Sequence, residues 1–139
     1  MRNWQHKVQY YETDQMQIVH HSNYIRWFEE ARTYLMDEMG FSYFQMEKEG
    51  IIVPVLSAYA EYKSMVQFGD TVEIEAKIIE FTGVKLMISY EVRDMETKEI
   101  RAVGETKHAF LDKERYRPIS LKRKHKPIFE LFNGMMKEK

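Results

Sequence analysis

The stretch YYETDQMQIVHHSNYIRWFEEAR, residues 10–32, predicts where the chain changes from strand to helix. Apolar and polar residues alternate over residues 4–11, as in a half-buried strand. Residues 12–21 follow neither the strand period nor the helix period, so we expect a loop there, and a helical period begins at Ser22. The loop holds Asp14 opposite the helix start, where backbone N–H groups lack intrahelical acceptors. We therefore place the candidate site in this loop.

The helix that follows is long and amphipathic, and its apolar stripe is rich in aromatic residues. Ser22 is the predicted N-cap and Gly40 the predicted C-terminal stop. A second, short helix is predicted over residues 42–49. A long helix of this kind normally packs across a sheet. Its stripe consists of Tyr24, Trp27, Phe28, Ala31, Leu35 and Met39, of which we expect Trp27 and Phe28 to belong to the core.

Most of the remaining chain is rich in β-forming residues. The first such segment covers residues 51–62, where Pro54 favours an edge position or a strand start. Three more alternate over residues 72–78, 84–93 and 100–110. Short turns join these three, so we expect an antiparallel meander. The order of elements predicts the α+β class, with one long helix against a curved antiparallel sheet.

The composition predicts one globular domain over residues 1–139. Hydrophobic residues make up 44% of the chain, which is enough for a core. Lys and Arg number 21 and Asp and Glu number 22, so the charge balance gives no reason to expect a nucleic-acid or membrane partner. Cys is absent, which excludes disulfides and thiolate nucleophiles. The first residues hold no apolar signal region, and we expect a cytoplasmic protein.

A basic extension over residues 113–139 ends the chain. Seven Lys and Arg residues stand against one acid between Lys113 and Lys126, and a short helix is expected from Pro127. A solvated surface is the favoured interpretation of these charges. A rim for phosphate groups is a second, and an RNA-binding tail is disfavoured because few aromatic residues are interleaved.

The opening stretch resembles the start of hotdog-fold acyl-CoA thioesterases of the 4-hydroxybenzoyl-CoA thioesterase type. Phe68-Gly69-Asp70, residues 102–112 and Arg117-Pro118-Ile119 extend the likeness over most of residues 4–120. The resemblance implies a hotdog fold, in which a curved antiparallel sheet of about five strands wraps one long helix. The matching motif positions are Tyr11, Thr13, Asp14, His21, Asn23 and Tyr24.

The resemblance also implies roles for individual residues. Asp14 is the general base or the nucleophile, and the backbone N–H of His21 is the oxyanion donor. The family often has Gly where this chain has Gln17, so Gln17 either adopts an ordinary conformation or accepts a left-handed one at a cost. Coenzyme A carries phosphates, so cations near strand ends are expected to rim the cleft, with Arg93 as a further candidate. The expected substrate-binding residues are Gln17, Asn23, Tyr24, Lys63 and Lys85.

Other interpretations of these residues stay open. Spacing alone favours an Asx turn within the loop as the reason for Asp14, and only the resemblance favours catalysis. A metal site is not expected, because Asp14 is the one obvious further ligand beside His20 and His21. A Ser-His-Asp triad is disfavoured, because the chain has no Gly-x-Ser-x-Gly motif.

We predict a cofactor-free enzyme that hydrolyses acyl-CoA thioesters. The alternatives are a thioesterase acting on acyl carrier protein at the same site, and a hotdog module that binds acyl-CoA without cleaving it. A hotdog dehydratase is disfavoured. The open sheet edges and the poorly covered sheet face predict self-association. The resemblance implies a dimer, which is often doubled to a tetramer.

Overall fold

The computed structural model describes residues 3–137, apart from the side chain of Lys137, so the first two and last two residues of the predicted domain lie outside it. The strands in this range are β1 (Trp4–Lys7), β2 (Ile51–Ile52), β3 (Val55–Tyr62), β4 (Thr71–Phe81), β5 (Lys85–Asp94), β6 (Ile100–Ala109) and β7 (Leu111–Asp112). The helices are α1 (Ser22–Met39), α2 (Tyr43–Lys48), α3 (Leu121–Lys124) and α4 (Lys126–Lys137), and Tyr10–Glu12 forms a 3₁₀ turn.

Five antiparallel strands form the main sheet in the order β1-β4-β5-β6-β3. The predicted α+β class, the five-stranded sheet and the meander of β4, β5 and β6 are confirmed. β3 begins directly after Pro54 and lies at the sheet edge, as that proline indicates. The short strands β2 and β7 pair with each other in a separate ladder. Within residues 3–137, no helix is both long and apolar enough to span a membrane.

Helix α1 lies across the sheet and supplies much of the core. The rings of Phe28 and Tyr90 stack with centroids 4.4 Å apart, and Trp27 is also buried, so the core assignment of Trp27 and Phe28 is confirmed. Gly104 on β6 allows this packing, because a Cβ there would lie 2.4 Å from the Phe28 ring. The helix and sheet are thus held at a separation that a side chain at position 104 would prevent.

Two predicted boundaries are wrong, those at the end of β1 and at the start of α1. The strand predicted over residues 4–11 ends at Lys7, because the Glu12 carboxylate accepts the Gln9 N–H at 2.8 Å and bends the chain into the 3₁₀ turn. The N-cap of α1 is His21 rather than Ser22. The β-rich segment over residues 51–62 forms two strands, β2 and β3, and the second begins after Pro54, which has no N–H to donate.

The basic end of the chain packs onto the far end of the sheet. Helix α3 was not predicted, and α4 begins one residue before Pro127. Phe132 of α4 is buried, with its ring centroid 5.0 Å from that of Phe81 and 5.8 Å from that of Phe110. These helices therefore complete the hydrophobic core, while their charged side chains point outward.

Candidate active site

A cleft of about 380 Å³ opens between the loop before α1 and the end of β3. It brings together four of the residues that the sequence indicates, namely Asp14, His21, Tyr24 and Lys63. The other residues that line it are Ile18, Val19, His20, Tyr62, Ser64 and Met65.

Asp14 is held by an Asx turn and also faces the cleft. Its Oδ1 accepts the N–H of Met16 at 2.8 Å and that of Ile18 at 3.4 Å. Among residues 3–137, no hydrogen bond reaches the second oxygen, Oδ2. The two interpretations of Asp14 are therefore compatible, because one carboxylate oxygen fixes the side chain and the other is left for chemistry.

The start of α1 presents one unused backbone donor to the same cleft. The N–H groups of Ser22, Asn23 and Tyr24 bind His20 Nδ1, His20 O and His21 O at 3.2, 3.0 and 3.2 Å. The His21 N–H has no acceptor within residues 3–137. Because the helix dipole places partial positive charge at this end, the donor suits a developing oxyanion.

Two tyrosines form the inner wall of the cleft. The ring of Tyr24, on α1, lies 4.9 Å from that of Tyr62, on β3, and 5.0 Å from that of Trp27. Burial, followed by the nearby Tyr62, raises the pKa of Tyr24 to about 12. Tyr24 therefore stays protonated at neutral pH and offers an apolar ring and a neutral hydroxyl.

The predicted cations are distributed over the molecule. Lys63 lines the cleft, where its ammonium pairs with Glu61. Lys85 begins β5, nine residues before Asp94, and this separates it from the cleft end of that strand by about 30 Å. Arg93 is bound by three carboxylates, those of Glu73, Glu75 and Glu91. Of the three predicted cations Lys63, Lys85 and Arg93, Lys63 is thus the one that lines the cleft of its own chain.

Gln17 and Asn23 support the loop instead of lining the cleft. Gln17 has φ of 62°, so of the two expected possibilities the left-handed one occurs. Asn23 is buried, and its Nδ2 donates to the backbone oxygens of Glu12 at 2.8 Å and His20 at 3.2 Å. Both amide hydrogens of Asn23 are used in this way, so its side chain stabilises the loop.

Glu12 is a residue that the sequence did not single out, although it lies two positions before Asp14. Its carboxylate is only 5% exposed and accepts hydrogen bonds from Gln9 N, Trp27 Nε1 and His6 Nε2. Burial by itself would raise the pKa of Glu12, but these three donors outweigh it and lower the pKa below 4.5. Glu12 is therefore a buried, ionised carboxylate at the base of the loop.

This arrangement has what acyl transfer to water requires. It combines a carboxylate with a free oxygen, a helix-start N–H and an apolar wall in one cleft. Among residues 3–137, no group of three or more His, Asp or Glu side chains is placed to hold a metal ion. The groups that the cleft offers to a substrate are a carboxylate and a backbone donor.

The sequence profile of the thioesterase-like superfamily matches residues 8–128. The chain belongs to this superfamily. It is 35% identical over 117 residues to the putative acyl-CoA thioesterase YneP of Bacillus subtilis, covering 84% of each chain. It is 40% identical over 110 residues to a putative esterase of Aquifex aeolicus, covering 78% of this chain and 83% of the relative.

A solved structure agrees with these relatives. The DHNA-CoA thioesterase of Staphylococcus aureus superposes with a TM-score of 0.88 at 30% identity, over 94% of this chain and 87% of that one. The resemblance to acyl-CoA thioesterases and the hotdog fold are thereby confirmed, as is the prediction of a thioester hydrolase.

Proposed function

We propose that the protein hydrolyses an acyl-CoA to a free acid and coenzyme A, with Asp14 and the His21 N–H acting on the thioester. The observation that carries the proposal is that Asp14 and the start of α1 line the same cleft. The names of the relatives support acyl-CoA as the substrate, since one is a putative acyl-CoA thioesterase and another a DHNA-CoA thioesterase.

Asp14 acts by one of two routes. As a base, its free oxygen takes a proton from water while the water oxygen bonds to the thioester carbon. As a nucleophile, that oxygen bonds to the carbon itself and gives an anhydride, which water then hydrolyses. In both routes the carbonyl oxygen becomes negative and accepts the His21 N–H, and the C–S bond then breaks. The thiolate leaves without a strong acid because thiols have pKa values of about 8.5.

The substrate contacts follow from the lining of the cleft. Tyr24 and Tyr62 form an apolar wall against which the acyl group packs, and Met65 extends it. Lys63 is the cation that this chain offers to coenzyme A, and binding a phosphate there competes with its pairing to Glu61. Gln17 and Asn23 act through the loop that holds Asp14.

A dimer is part of the proposal. Strand β3 pairs only with β6 among the described strands, so its other edge is open, and it leads directly into the cleft residues Tyr62 and Lys63. A second copy that pairs along β3 covers the open side of the cleft in both protomers. Further doubling to a tetramer, action on acyl carrier protein and a cytoplasmic location stay predictions.

Replacement of Asp14 by Asn tests the catalytic role. Asn keeps the Oδ1 acceptor of the Asx turn and removes the base and nucleophile. We expect kcat/KM to fall by about 100-fold or more, measured by thiol release from short, long and aromatic acyl-CoA substrates. A folded D14N variant that stays within about threefold of the parent contradicts the proposal, because that loss is under about 1 kcal/mol.

Asp70→Asn is the matched control. Asp70 also accepts a loop N–H, that of Gln67 at 2.9 Å, but it does not line the cleft. We expect D70N to retain the parental kcat/KM. A separate assay compares kcat/KM of the parent protein for the same acyl group attached to coenzyme A and to acyl carrier protein. The higher value shows which carrier the protein prefers.

A further inference from the structure

Every polar atom of Glu12 is engaged, and the partners of its carboxylate and N–H come from three separate parts of the chain. The Glu12 Oε1 lies 2.7 Å from His6 Nε2 on β1 and accepts the Gln9 N–H at 2.8 Å. The other oxygen, Oε2, accepts Trp27 Nε1 of α1 at 2.8 Å. The Glu12 N–H donates to Gln9 O at 3.0 Å. One side chain thus fastens the first strand, the 3₁₀ turn and the long helix together.

The backbone oxygen of Glu12 closes the loop that carries Asp14. It accepts the His20 N–H at 2.9 Å and the Asn23 side-chain amide at 2.8 Å. One residue further along the loop, Thr13 pairs with Val19. The two ends of the loop are therefore joined at Glu12, and the position of Asp14 relative to the His21 N–H depends on where Glu12 lies.

Glu12 does not touch the cleft itself. It lines a separate cavity of about 350 Å³, together with His6 and Trp27 among others. Any effect of Glu12 on the reaction must therefore act through the residues that it holds.

We propose that Glu12 is a positioning residue for thioester hydrolysis: its buried carboxylate fixes the loop so that Asp14 and the His21 N–H meet the same thioester. The inference rests on the proposed role of Asp14. A displacement of about 1 Å between reacting groups costs up to about 100-fold in rate. Such a displacement lowers kcat more than it raises KM, because the acyl wall of Tyr24 and Tyr62 stays in place.

Glu12→Gln tests this inference with little change in size. A Gln side chain has one acceptor oxygen and an NH₂ group, so it cannot accept from Trp27, His6 and Gln9 together. We expect kcat to fall by at least about tenfold, with KM within about threefold of the parent, at a temperature where thermal unfolding shows the variant to be folded.

Glu73→Gln is the matched control. Glu73 is also a partly buried carboxylate with a lowered pKa, held by Lys98 and Arg93, but it lies on β4 outside the cleft. We expect E73Q to lose stability without changing kcat or KM beyond about twofold. The comparison separates the loss of a buried carboxylate from the loss of the loop anchor.

Trp27→Phe is a milder change, which removes one donor to Glu12 and keeps an aromatic ring. We expect its kcat to fall by about threefold to tenfold at constant KM. If E12Q does not fold, the W27F variant decides the question. A folded E12Q with the parental kcat overturns the inference, and if E12Q does not fold, a folded W27F with the parental kcat does so. A variant in which only KM changes overturns it as well. A parent protein that releases no thiol from any acyl-CoA overturns the proposed function instead.

Discussion

His108 is a buried ionisable side chain on β6, which is 1% exposed and has its Nε2 2.8 Å from Thr106 Oγ1. Burial, followed by the positive charge of Arg32, lowers its pKa from 6.5 to about 4. Between these pH values the unfolded chain binds a proton at His108 and the folded chain does not. The free energy of unfolding is therefore expected to fall as the pH is lowered through this window.

Between pH 6.5 and pH 5, this one residue is expected to remove about 1.5 kcal/mol from the free energy of unfolding. Urea unfolding at the two pH values measures the difference. His108→Gln, which does not titrate, is expected to be less stable at pH 6.5 but to lose much less on acidification. An equal loss in the parent and the variant would assign the pH dependence to other groups.

Single residues of the site differ in how far the sequence predicts them. Asp14 and His21 could be found because a known motif places them, and the left-handed Gln17 stands where the motif often has glycine. Glu12 could not be found, because a lone acid in a loop is normally solvated and the pattern gives no sign of its donors. Those donors, from His6 and Trp27, lie 6 and 15 positions away and meet Glu12 only in the folded chain.

Strand β3 exposes apolar side chains that the single chain does not bury. Leu56 is 60% exposed, and Val55, Tyr59 and Tyr62 are exposed on the same edge strand. An open edge with apolar side chains invites pairing with a second copy. We expect light scattering to show at least a dimer at micromolar concentration.

Leu56→Lys is expected to weaken this association, because it places like charges on the two copies of a self-complementary edge. Phe44→Lys is the control, since Phe44 is 67% exposed but lies on α2. A parent of monomeric mass, or an L56K variant with the parental mass, would contradict pairing along β3.

At the scale of elements, periodicity predicts the interiors better than the ends. The helical period identifies α1 and the alternation identifies β4, β5 and β6, because burial of one face imposes those repeats. The end of β1 was missed because it depends on a single hydrogen bond, from the Gln9 N–H to Glu12. The N-cap at His21 was missed because no side-chain hydrogen bond marks it. Helix α3 was missed because four residues are too few to show a period.

Across the whole molecule, the cleft and the C-terminal helices lie at opposite ends of the sheet. The Leu121 N–H of α3 binds Gly83 O in the turn before β5, next to Lys85. The exposed basic side chains of α3 therefore lie far from the cleft of their own chain. The run of cations over residues 113–126 predicts a basic surface, but only the fold shows which end of the sheet carries it.

Phe132→Ala tests whether α4 is part of the core. Phe132 is 1% exposed and packs against Phe81 and Phe110, so its truncation leaves a cavity among aromatic rings. We expect the free energy of unfolding to fall by about 3–5 kcal/mol, measured by urea denaturation. Because the cleft lies at the other end of the sheet, kcat and KM are expected to stay parental while the variant is folded. Phe44→Ala, at an exposed ring on α2, is expected to change stability by less than about 0.5 kcal/mol. If the free energy of unfolding falls by less than about 1 kcal/mol in F132A, the core is stable without α4 and this helix is not part of it.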